Sequence, residues 1–161
     1  MALSLENQNY VWQRVREKQS IMHPDFANQL YALRKALAES KRGIKLQLIP
    51  FTEAQAITNG GTDLVGEACT LYALYVKKTG AGTPTATDSF AAVHAAATNG
   101  SSATVVALAA LLVANEERLV VDPVGIPVAT GATISEATAP GGATESTAQD
   151  GGPGFIIVGA A

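Results

Sequence analysis

A single cysteine, Cys69, stands in 161 residues. No intramolecular disulfide can form, which excludes a small disulfide-stapled fold. Cys69 precedes an apolar run and reads as a small buried hydrophobe. Aromatic residues make up only 6% of the chain. The core must therefore be assembled from small and β-branched side chains, each burying less area at about 25 cal/mol per Å². Long apolar runs are also missing. The longest, Val105 to Ala114, is far short of the roughly 20 residues that span a bilayer. No basic segment followed by an apolar one opens the sequence, so no signal peptide is expected. The expectation is a soluble protein made in a reducing cytoplasm, with no membrane partner.

The usual carriers of chemistry are equally sparse. Of two histidines, His23 precedes Pro24 at a helix start and reads as part of that turn. His94 lies in an Ala-rich run with Asp88 and Ser89 nearby. A catalytic triad is a matter of geometry, which seven crowded positions do not establish. No Gly-x-Ser-x-Gly elbow occurs. One Cys and two distant His do not make a zinc site. Glu116, Glu117 and Asp122 lack the surrounding pattern of a calcium loop and read as a solvated turn. Gly61-Thr-Asp-Leu-Val-Gly66 lacks the Lys and following Ser/Thr of a phosphate loop. Asn99-Gly-Ser101 matches a glycosylation sequon but reads as a turn. No Lys/Arg cluster is denser than a pair, which argues against a nucleic-acid arm. The sequence predicts no catalytic residue, no metal site and no cofactor.

What is present is a charge gradient and a change of period. Residues 1–50 hold eight basic and four acidic residues, a net +4. Residues 51–161 hold three basic and ten acidic residues, a net −7. Such asymmetry fits separate roles for the two parts, a head-to-tail contact between copies, or simply two solvated surfaces that differ. Before Pro24, Val11, Val15 and Met22 fall on one helical face, with Trp12 adjacent. Phe26, Leu30, Leu33 and Leu37 then recur at spacings of four, three and four, an amphipathic stripe. Pro24 and Asp25 suit the start of that helix. Lys41 and Arg42 suit its negative end, and Gly43 its stop.

Ile44, Leu46 and Leu48 alternate with Lys45 and Gln47, a half-buried strand ending at Pro50. Residues 52–66 read as turn or loop. Leu71 to Val76 is apolar on both faces. Further strands are expected over Thr87 to Ala95, Thr104 to Val113, Leu119 to Val121, Ile126 to Ala129, Ala132 to Ala139 and Phe155 to Val158. Residues 87–117 are rich in alanine and would also suit a helix. Turn signals every ten residues or so favour strands there. The resulting expectation is a mainly β protein: an antiparallel β-sandwich, jelly-roll-like, over 51–161, with an N-terminal helical arm over 1–50.

Three segments carry a family likeness. They are Leu71-Tyr-Ala-Leu-Tyr-Val-Lys-Lys-Thr-Gly80, Asp122-Pro-Val-Gly-Ile-Pro-Val-Ala-Thr-Gly131 and Asp150-Gly-Gly-Pro-Gly-Phe-Ile-Ile-Val-Gly159. In strand texture and turn placement, residues 68–161 resemble the small capsid decoration, or cement, proteins of tailed bacteriophages. The resemblance implies a virion structural protein at the capsid surface that binds the major capsid protein lattice and self-associates. A neck, tail or head-fibre adaptor is the alternative. A carbohydrate-binding virion module is a third reading. It would need an exposed aromatic platform, and Tyr72 and Tyr75 are expected on opposite strand faces. The candidate protein-interface residues are Tyr10, Trp12, Phe26, Leu30, Leu33 and Leu37; the stripe must bury itself on the protein's own sandwich or on another chain, and another chain is the expectation.

Overall fold

The structure, a computed structural model, describes residues 12–14, 16–17, 24–40, 46–52, 55, 62–77, 89–95, 106–112, 117–137 and 153–160. Among the described residues, one long helix, α1 (Pro24–Ser40), precedes eight strands. These are β1 (Leu46–Phe51), β2 (Thr62–Val65), β3 (Cys69–Lys77), β4 (Ser89–His94), β5 (Val106–Leu112), β6 (Glu117–Val128), β7 (Ala132–Ala137) and β8 (Gly154–Ala160). They form two antiparallel four-stranded sheets, ordered β1-β8-β3-β6 and β2-β7-β4-β5. Four of the pairs join first to last and inward from there: β1 with β8, β2 with β7, β3 with β6, β4 with β5.

The two sheets share a core. Leu71, Leu74, Val76, Val128, Ile156 and Val158 from the first meet Val65, Ala91, Val93, Ala110, Ala132 and Ile134 from the second. A second core lies on the other face of the first sheet. There Leu30, Leu33 and Leu37 of α1 pack on Leu46, Leu48, Tyr72, Ala73, Tyr75, Phe155 and Ile157. The order of layers is helix, sheet, sheet. This explains why β3 and β8 are apolar on both faces: each is central and covered on both sides. The short strand expected at the end of residues 1–50 is β1, which runs on to Phe51. β1 crosses that boundary and pairs along its length with β8, so the N-terminal segment supplies both a strand and a covering layer.

The helix starts at Pro24 with Asp25 in its first turn, as the sequence predicts. Lys41, Arg42 and Gly43 lie outside the described residues. β5 is a strand despite its alanines. Side chains at Leu108 and Ala110 enter the inter-sheet core, and this burial outweighs the helix preference of Ala.

Four differences from expectation have local causes. β1 runs through Pro50 to Phe51. Among the described residues β8 is its one partner, and a proline without N–H is tolerated on an edge strand. Within residues 52–66, Thr52 and Gln55 cap one another, with Thr52 N donating to Gln55 Oε1 at 2.8 Å and Gln55 N to Thr52 Oγ1 at 3.3 Å, and β2 follows. The two strands expected at 119–121 and 126–129 are one, β6. Residues 122–125 are accommodated as a bulge, since β3 pairing steps from Ala73↔Val121 to Leu71↔Ile126. Asp122 Oδ1 accepts from Val124 N at 2.9 Å and Gly125 N at 3.0 Å. Gly125 closes the bulge at φ +89°, a conformation that favours glycine, where a Cβ would sit 2.6 Å from the Tyr72 ring. Finally, that same break in β3 puts Tyr72, Ala73 and Tyr75 in the helix-facing core and Leu71, Leu74 and Val76 in the other. Strict alternation would have separated the two tyrosines.

Candidate functional site

The leucines of the expected interface do not form a free surface. Leu30, Leu33 and Leu37 are 1–2% exposed. Their stripe is buried against the protein's own first sheet, which corrects the expectation that it docks on another chain. The reason is on the sheet: Tyr72, Tyr75, Phe155 and Ile157 form an apolar face that needs cover as much as the helix does. Phe26 and Trp12 are half-buried at the margin of this cluster. Tyr10 lies outside the described residues.

Tyr72 and Tyr75 are buried too, at 1% and 3% exposed. They offer no platform to a sugar. The Tyr75 ring stacks on Phe155 with centroids 5.0 Å apart, and its hydroxyl donates to Glu117 Oε2 at 2.7 Å. Burial, the hydrogen bond to Glu117 and that carboxylate's charge all push the Tyr75 hydroxyl above its ordinary pKa. A tyrosine whose folded pKa is raised contributes stability below its unfolded pKa and loses it as pH climbs past that value. The wild type is therefore expected to lose melting temperature as pH rises beyond about 10, while Tyr75→Phe loses less over that window. At pH 7 the same variant should be destabilised by about 1 kcal/mol for the lost hydrogen bond. Thermal melts of both proteins between neutral and alkaline pH check both statements.

His94 has a partner that spacing did not reveal. Its Nε2 lies 2.5 Å from Ser135 Oγ on β7, brought there by pairing of β4 with β7. His94 and Ser135 are 3% and 6% exposed. On the same sheet the buried Thr133 donates to Asp63 Oδ1 at 3.1 Å. Asp88 lies outside the described residues. A serine and histidine in contact make a nucleophile and base only where a substrate can reach them. These two are closed off, so the pair satisfies buried polar groups. His94→Ala is expected to destabilise by about 1–3 kcal/mol through the orphaned Ser135 hydroxyl. Urea denaturation measures that loss, and a hydrolase and glycosidase screen of both proteins should find no activity that depends on His94.

Cys69 is buried and unpaired. Burial first, and the Glu67 charge second, push its thiol up, away from the reactive thiolate. Among the described residues no three His, Cys, Asp or Glu side chains converge to hold a metal. No helix among them is long and apolar enough to cross a membrane.

Two accessible features stand out among the described residues. One is the β6 bulge, where Val124 projects at 72% exposed. The other is an open cleft of about 520 Å³ lined by Trp12, Gln13, Arg16, Glu17 and Arg34. The first was legible as Asp122-Pro-Val-Gly, a turn with a capping aspartate. The second needed the fold, because Trp12, Gln13, Arg16 and Glu17 meet Arg34 only once the chain is packed.

No protein-family model matches the chain, and no curated protein or solved structure matches it either.

Proposed function

We propose that this is a structural protein that works by packing against other protein chains, specifically a capsid decoration protein bound to a major capsid protein lattice. The observation that carries the reading is the strand pairing. First-with-last pairing of the strands, in sheets β1-β8-β3-β6 and β2-β7-β4-β5, supports reading the body as a rolled-up β-ribbon, a jelly-roll sandwich. That architecture recurs in virion proteins, so the step from fold to role is one of analogy. It agrees with the resemblance of residues 68–161 to decoration proteins.

Three of the four sheet edges, all but β5, favour attachment through side chains over strand addition. Three edge strands are blunted: β1 by Pro50, β2 by a break in register between Asp63 and Val65, and β6 by Pro123, Pro127 and its bulge. A modest side-chain contact repeated at every lattice position resists loss of any one copy. The test is to add purified protein to capsids lacking it and count bound copies by quantitative mass spectrometry. Saturation at hundreds of copies per particle is expected. Saturation at about a dozen or fewer would favour the neck or tail adaptor, whose site is set by one symmetric ring. No binding to any virion component would overturn the reading.

A further inference from the structure

We draw no further inference here: the strongest candidate, the outer edge of β5 (Val106–Leu112) in the second sheet, has no charge or proline to blunt it and pairs among the described residues with β4 alone, but nothing in the structure shows what covers it.

Discussion

Gly154→Ala is expected to lower the melting temperature by roughly 6–12 °C, the equivalent of about 3 kcal/mol in a chain of this size. Gly154 opens β8, where it pairs with Phe51 of β1 on one side and Val76 of β3 on the other. It is buried. A Cβ there would run into the Tyr75 carbonyl oxygen and lie 2.6 Å from Phe51 Cζ. Phe51 can turn aside, but the Tyr75 carbonyl belongs to a central strand held by β8 and β6 together. The strand must therefore shift, and Tyr75 carries with it the stack on Phe155 and the bond to Glu117. Thermal melts of three proteins isolate the cause. Gly154→Ala should fall well below wild type, and adding Phe51→Leu should not rescue it. Rescue by Phe51→Leu would mean that the side chain, and not the backbone, sets the limit.

This glycine also marks where the sequence stops being readable. Asp150-Gly-Gly-Pro-Gly reads as a breaker before a strand, and Phe155 to Val158 is indeed the middle of β8. Nothing in the spacing says that one of those glycines is inside the strand, tight against a neighbour's carbonyl. Elements with a clean period were legible: the stripe of α1 and the alternation of β1. β5 was legible through its flanking turns, since its Ala-rich composition pointed to a helix. β2 was not, because four residues framed by glycines carry too little pattern. β6 was read as two pieces because Asp122-Pro123 ordinarily stops a strand. Here the aspartate satisfies two N–H groups of the bulge and the strand resumes. The candidate site was less legible than the fold. Arg16, Arg34 and Trp12 are separated in sequence, and ordinary surface charges look the same on paper. His94 was noticed for the wrong neighbours, since strand pairing supplies Ser135 from 41 residues away. Composition did foreshadow one feature. A body whose core is built from Ala and Val gains little per residue, and this one adds a helix layer to gain more.

That layer sets the second large effect. Deleting residues 1–42 is expected to yield an insoluble or molten body, not a stable core domain. Leu30, Leu33 and Leu37 are almost fully buried, and burial of each is worth about 1.5–3 kcal/mol. Three together contribute about 5–9 kcal/mol, as much as the whole net stability of an ordinary domain. The loss has two sides. The deletion also uncovers Tyr72, Tyr75, Phe155 and Ile157 on one sheet face, a contiguous apolar patch of the kind that drives aggregation. A milder change grades the same cause. Leu33→Ala in the full chain should cost about 2–5 kcal/mol while leaving the protein folded. Tyr31→Ala, two residues away but 67% exposed, should cost almost nothing. Solubility and dye binding of the truncated body, with urea melts of the point variants, provide the measurements. A truncated body that is soluble, cooperative in its melt and unable to bind an apolar dye would show that the helix is a separable arm. Leu33→Ala would then behave like Tyr31→Ala, and the stripe would be free to dock on another chain after all.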